Sequence, residues 1–136
     1  MDKIGLEKFL PSLLYKTEVD SKGTILIRFE EKKDKYVWVD ADEICFVISA
    51  DHYIKALIKT ASKKKWMCRH CTLKELLNIL PSDNFIRLNK FYVLNLNHFS
   101  HIDENNTLLY FNDDISIPIP HRISPYLRRH LQSINT

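Results

Sequence analysis

The sequence predicts an antiparallel β fold with one short internal helix and a C-terminal helix. Three observations support this fold class. Apolar and polar residues alternate at a period of two from Thr24 onward, which is typical of strands with one buried face. Capped segments with helical spacing of apolar residues occur only twice within residues 22–132. Strands and helices do not alternate regularly, so we do not expect a parallel sheet of βαβ units.

The first strands are predicted between Thr24 and Ile58. A hairpin is expected over residues 24–39, with a mixed-charge loop at 31–34 that is typical of a solvated turn. Residues 44–48 form a continuous apolar run, which indicates a central strand buried on both faces. The polar residues that follow predict a turn into a further strand ending near Ile58.

A capped helix and a strand pair occupy the middle of the chain. Thr72 and Glu75 have the spacing of a capping box, and Pro81 marks the end of the helix. The apolar face of the helix is formed by Leu73, Leu76, Leu77 and Leu80. The β-prone residues after Pro81 are interrupted by three side chains whose donors suit phosphate or base edges, namely Arg87, Asn89 and Lys90.

The C-terminal part predicts a closing strand and a second helix. Pro118 lies among alternating isoleucines and indicates an edge strand or a bulge, because proline cannot donate to a ladder. Ser124 is the expected cap of the last helix, with Pro125 at its first position. The inward-facing residues of this helix are predicted to be Tyr126, Leu127 and Leu131.

These segments carry a family resemblance. FIRLNKFYVLNLNHFSHI, residues 85–102, resembles the most recognisable line of the LytTR family of DNA-binding domains. ADEICFVISADHYIKALI, CTLKELLNILP and ISIPIPHRISPYLRRHL resemble further segments of that family, in its order. The resemblance covers roughly residues 22–132, and it implies a mainly β domain that inserts loops, rather than a recognition helix, into DNA.

The resemblance also implies three reading sites. By position they fall on His52 and Tyr53, on Lys90 within the segment RLNKFY, and on His121 and Arg122. Imidazole and phenol groups can donate and accept hydrogen bonds, which suits base edges and phosphates. Arg87 and Asn89 complete the expected DNA-binding set. The alternative for His52 and Tyr53 is a hairpin aromatic that covers the edge of the core. Departures from the family pattern near Lys90 leave the base preference open.

The predicted function is a sequence-specific regulator of transcription that binds double-stranded DNA and has no catalytic activity. The alternative is a non-catalytic protein–protein interaction module on the same fold. The net charge of +3 is compatible with a polyanionic partner. Only two glycines occur, and neither a glycine-rich phosphate loop nor a nucleophile elbow is found, so we expect no enzyme and no cofactor.

The chain is predicted to hold one domain over residues 22–132, an N-terminal appendage of residues 1–21 and a tail of residues 133–136. Apolar residues cluster in the appendage as in a helix, but Pro11 interrupts them. The appendage is expected either to pack on the domain or to form a self-association surface. In the second case a homodimer would occupy repeated half-sites in DNA.

Cysteine usage and hydropathy indicate a cytoplasmic protein with no membrane segment. Three cysteines are too few for a secreted disulfide framework, and no apolar run approaches the roughly 18–20 residues that cross a bilayer. Cys68 and Cys71, followed by His98 and His101, superficially imitate a zinc site. The long gap between the two pairs departs from zinc-finger spacing, so no metal is predicted.

Overall fold

The computed structural model describes residues 17–19, 23–103, 105, 107–112, 115–119 and 123–134. Within these residues the chain consists of antiparallel strands with two α-helices and one 3-10 helix. The predicted fold class is confirmed.

Eleven strands lie in the described part of the chain. They are β1 (Thr17–Val19), β2 (Ile25–Lys32), β3 (Lys35–Asp40), β4 (Ile44–Ser49), β5 (Ile54–Lys59), β6 (Lys64–Arg69), β7 (Phe85–Arg87), β8 (Tyr92–Asn95), β9 (Phe99–Ile102), β10 (Leu108–Phe111) and β11 (Ile115–Pro118). The 3-10 helix is Ala41–Glu43, and the α-helices are α1 (Leu73–Leu77) and α2 (Pro125–Ser133).

The strands form two antiparallel sheets. The large sheet has eight strands in the order β1-β2-β6-β5-β4-β8-β7, with β3 also paired to β2. The small sheet has three strands in the order β11-β10-β9. Pro118 therefore lies on an edge strand, as predicted, where its missing N–H breaks no ladder.

Two apolar cores lie on opposite faces of the large sheet. In β4 and β8, Val47 and Val93 belong to the first core, whereas Phe46 and Leu94 belong to the second. The first core also contains Leu73 and other residues of α1, and the second contains residues of the small sheet and of α2. The central strand predicted over residues 44–48 is thus covered on both sides.

A register shift in β4 distributes its side chains between the two cores. The shift lies between Ile44 and Phe46 in the pairing with β5, so Cys45 and Phe46 both enter the second core while Ile44 enters the first. Cys45 is fully buried. Burial raises the pKa of the Cys45 thiol to about 11, so the thiol stays protonated near neutral pH and packs as an apolar group.

Both helix starts have the predicted caps. The Thr72 hydroxyl accepts from the Glu75 amide at 3.0 Å, and the Glu75 carboxylate accepts from the Thr72 amide at 2.9 Å. The Ser124 hydroxyl accepts from the Leu127 amide at 3.2 Å. These bonds satisfy amides that have no partner within the helix.

The inward face of α2 differs from the prediction at one position. Leu131 is fully buried and Leu127 packs against the second core, but Tyr126 is 73% exposed. Each helical residue is rotated by about 100° from the one before it. The buried line through Leu127 and Leu131 therefore leaves Tyr126 on the solvent side, and the prediction for Tyr126 was wrong.

Asn95, at the end of β8, is a fully buried polar residue that joins separate parts of the large sheet. Its Nδ2 donates to the Ile44 carbonyl at 2.8 Å, across to β4. Its Oδ1 accepts from the Asn84 side chain at 2.9 Å and from the Asn97 amide at 2.8 Å. One amide side chain thus connects the start of β4, the approach to β7 and the turn after β8.

Replacing Asn95 with Ala should lower the free energy of unfolding by about 2–4 kcal/mol, because the three groups it contacts each lose a partner in or near the core. Urea denaturation followed by circular dichroism measures this change. Asn97→Ala is the matched control, since Asn97 is exposed and uses only its backbone amide in this contact. A loss below about 1 kcal/mol for Asn95→Ala would contradict this role for Asn95.

Candidate nucleic-acid interface

Residues 50–53, the first loop, connect β4 to β5. The Ala50 amide donates to the Tyr53 carbonyl at 2.8 Å, which closes a tight turn. His52 is exposed at this turn. Tyr53 is half-buried, and its ring lies tilted against His70 with the ring centroids 6.1 Å apart. The first loop therefore presents an imidazole to solvent beside a phenol ring that contacts the scaffold.

Residues 88–91, the second loop, connect β7 to β8. The Leu88 amide donates to the Tyr92 carbonyl at 2.9 Å and closes the loop. The Asn89 Oδ1 accepts from the amides of Phe91 at 2.8 Å and Tyr92 at 3.1 Å. The amide oxygen of Asn89 is thus engaged by the backbone of its own loop, a local bond typical of Asn in turns.

Arg87 also holds the second loop. Its Nε donates to the Asn89 carbonyl at 3.0 Å and its Nη2 to the Lys90 carbonyl at 3.3 Å. Lys90 is exposed, and its ammonium lies 5.1 Å from the centroid of the Phe91 ring. Arg87 and Asn89 therefore shape the loop, whereas Lys90 presents a cation at its tip.

One backbone hydrogen bond brings the two loops together. The Ser49 amide, at the end of β4, donates to the Phe91 carbonyl of the second loop at 2.8 Å. The pairing of Ile48 with Tyr92 continues the same ladder between β4 and β8. The two loops therefore emerge side by side from adjacent strands of the large sheet.

The third predicted reading site, His121 and Arg122, lies outside the described residues. The residues on either side of it are described. Ile119 and Ile123 are both buried in the second core, and the Ile119 amide donates to the Thr107 carbonyl at 2.8 Å.

An open cleft of about 350 Å³ separates the first loop from the start of α1. His52 and His70 line it together with Thr72 and Glu75. His70 was not among the residues predicted from sequence, and neither were Arg28 and Arg69, which lie close to it in a second cleft. The alternation within β2 could have predicted the position of Arg28, since it places this side chain on the face of the sheet away from the buried Ile27 and Phe29.

The four side chains that imitate a zinc site have separate environments. Cys71 packs against the first core, whereas Cys68 pairs with Glu30 on the opposite side of the sheet. His98 donates through Nε2 to the Asp42 carbonyl, and the His101 ring stacks on Tyr110. Within the described residues, no group of three or more His, Cys, Asp or Glu side chains could hold a metal ion.

The basic turn near residues 62–65 is partly neutralised by Glu31. The Glu31 carboxylate lies 2.7 Å from the Lys35 ammonium, 3.1 Å from that of Lys63 and 3.6 Å from that of Lys65. Hydrogen bonds from Lys35 and Lys63 lower the pKa of Glu31 to about 2. Lys63 and Lys65 are therefore engaged with a carboxylate, which favours a structural role for this turn.

A family model described as the LytTr DNA-binding domain matches residues 34–132. The chain belongs to this family, which confirms the resemblance, and its class is that of DNA-binding proteins. A solved structure, the LytTr DNA-binding domain of a protein described as a methyl-accepting/DNA response regulator from Bacillus cereus, shares the fold. The TM-score is 0.59 at 18% identity, over 76% of this chain and 94% of that one. No curated protein matches the chain.

No helix in the described part of the chain is long and apolar enough to span a membrane.

Replacing Glu31 with Gln should lower stability near neutral pH and have no effect at strongly acidic pH. A depressed pKa contributes stability above the ordinary value of 4.5, and this contribution disappears as the pH falls toward about 2. Unfolding free energies of both proteins at pH values spanning this window measure the difference. A difference that is independent of pH would contradict the assigned ion pairs.

Proposed function

We propose that this protein is a sequence-specific regulator of transcription that reads double-stranded DNA through loops on a β scaffold and catalyses no reaction. The hydrogen bond from the Ser49 amide to the Phe91 carbonyl is the observation that carries the proposal. It holds the first and second loops side by side, with His52 and Lys90 exposed. Two adjacent loop tips with donors at their ends suit contacts along one duplex.

The residues of the two loops take different roles in this proposal. Lys90 contacts guanine O6 or N7 in the major groove, or a phosphate. His52 reads a base edge or holds a phosphate from the first loop, with Tyr53 beside it. Arg87 and Asn89 position the second loop through its backbone, and Arg87 remains exposed for a phosphate contact as well. His121 and Arg122 are proposed as the third reading site on the family resemblance alone.

A protein with duplex DNA as its partner would act in the cytoplasm. Two copies bound to repeated half-sites would cover a longer stretch of the duplex. The loops of a single domain contact few base pairs. Two copies on one DNA molecule contact more base pairs, which raises specificity without new contacts within each domain. Residues 22–132 are the proposed DNA-binding domain, and β1 (Thr17–Val19) is paired with β2 of its large sheet. The rest of residues 1–21, which lies outside the described residues, is the proposed self-association segment.

A protein–protein interaction module is the second candidate, and exposed aromatic side chains favour it. Tyr36 is 48% exposed, Trp38 43% and Trp66 42%. Tyr36 and Trp38 lie opposite Glu30 and Arg28 of β2 in the ladder, and the pairing of Glu30 with Cys68 places Trp66 on the same face of the sheet. Exposed aromatic residues are enriched at protein interfaces.

Selection of duplexes from a random pool should enrich one sequence, and Lys90→Ala should weaken binding to it by about 1–3 kcal/mol, or roughly 5- to 150-fold, if Lys90 contacts a base. Fluorescence anisotropy measures both affinities. Lys33→Ala, in the exposed β2–β3 turn, is the control of equal charge change. Absence of any enriched sequence would contradict specific reading and favour the second candidate.

The affinity for the selected duplex should fall as salt rises. Each neutralised phosphate releases counterions, so the logarithm of the binding constant should fall against the logarithm of salt concentration with a slope of about −0.9 per phosphate contact. Anisotropy titrations over a range of sodium chloride concentrations measure this slope. A flat response would contradict DNA as the partner.

A further inference from the structure

Arg69, the last residue of β6, carries a buried guanidinium that is poorly compensated. The side chain is 5% exposed, and its Nη1 donates to the Arg28 carbonyl at 2.8 Å. Its Nε is buried and has no hydrogen-bond partner among the residues that the structure describes. Among the described residues, no carboxylate forms an ion pair with Arg69.

This arrangement calls for an anion. Arginine keeps its charge at every pH at which a protein is folded, so it cannot escape the cost of burial by losing a proton. Buried charges in proteins are paired and hydrogen-bonded, and a guanidinium has five N–H donors. The Arg69 Nη1 donates to a neutral carbonyl, its buried Nε lacks a partner, and its charge faces no carboxylate in an ion pair among the described residues.

Arg69 lines a small cleft together with two further basic residues. Arg28 and His70 line this cleft with Tyr36 and Cys68, and its volume is about 50 Å³. A single water needs on the order of 10–15 Å³ by the same measure, so the cleft suits one small oxyanion rather than a nucleotide. The Arg28 guanidinium is held in place over the Tyr36 ring, with its carbon 4.1 Å from the ring centroid.

One acidic residue also lines the cleft. The Glu30 Oε2 accepts from the Asp34 amide at 3.1 Å, in the turn between β2 and β3. The carboxylate is thus engaged by the turn rather than by Arg69. Two guanidinium groups and an imidazole therefore outnumber the single carboxylate at this cleft.

We propose that Arg69, Arg28 and His70 form a binding site for a phosphate group. Guanidinium groups match tetrahedral oxyanions with several parallel donors, and these charge-assisted bonds are the stronger class. The phosphate has two potential sources, a free phosphate ion or ester and a backbone phosphate of bound DNA. Only the DNA source rests on the proposed function.

His70 links this site to the candidate DNA-reading surface. It lines both the small cleft and the larger cleft beside the first loop, and its ring contacts that of Tyr53. A phosphate held by His70 therefore lies next to the first loop, whether it comes from solution or from the duplex.

The first test titrates the full chain with sodium phosphate against sodium chloride at equal ionic strength. Thermal unfolding and amide NMR spectra are the readouts. We expect a saturable rise in the unfolding midpoint and shifts of the Arg28, Arg69 and His70 amides. Arg28→Gln should weaken phosphate binding about tenfold or more, while Lys33→Gln should not change it. Arg69→Gln should abolish binding in protein that still gives a folded NMR spectrum.

The second test separates the two sources. If a DNA phosphate occupies the site, Arg28→Gln should reduce the salt slope for duplex binding by about 0.9, and Lys33→Gln should leave it unchanged. Phosphate binding with an unchanged slope assigns the site to free phosphate. Absence of both effects overturns the inference, even when the wild type binds DNA specifically. Phosphate binding without any DNA affinity keeps the inference and overturns the proposed function.

Discussion

The structure depends on two strands, β4 and β8, that are buried on both faces. The two cores lie on opposite faces of this strand pair. The first core contains Ile44, Val47 and Val93, and the second contains Phe46, Tyr92 and Leu94. Strands buried on both sides cannot slip by one residue without exchanging the two sets of side chains. Asn95 strengthens this register, since its side chain bonds β8 to the first residue of β4. The pairing of β4 with β8 therefore sets the positions of the first and second loops.

The position of the candidate interface follows from the pairing of β4 with β8. The first loop begins where β4 ends, the second loop ends where β8 begins, and the hydrogen bond from the Ser49 amide to the Phe91 carbonyl joins them. Sites on rigid strands are held more accurately than sites on long free loops. Local bonds from Arg87 and Asn89 then define the backbone of the second loop. In this arrangement the sheet sets the spacing between the tips, and short-range hydrogen bonds set the shape of each tip.

Much of the fold could be predicted because its signals are local. The caps at Thr72 and Ser124 and the edge position of Pro118 depend on backbone chemistry within a few residues. Tyr126 was misplaced because an amphipathic pattern of only three residues does not define the buried direction of a helix. The bonds of Arg87 to loop carbonyls, and the burial of Arg69 between β2 and β6, depend on tertiary contacts that no local pattern encodes.

The separation of roles within the second loop bears on how such a domain can change its target. Arg87 and Asn89 maintain the path of the main chain, while the Lys90 side chain lies against the neighbouring Phe91 ring. Replacing Lys90 with another polar residue would change the hydrogen-bonding group at the tip of the second loop and leave the backbone of that loop unchanged. Under the proposed function, a single substitution at Lys90 would change the contact with DNA and keep the backbone path of the second loop.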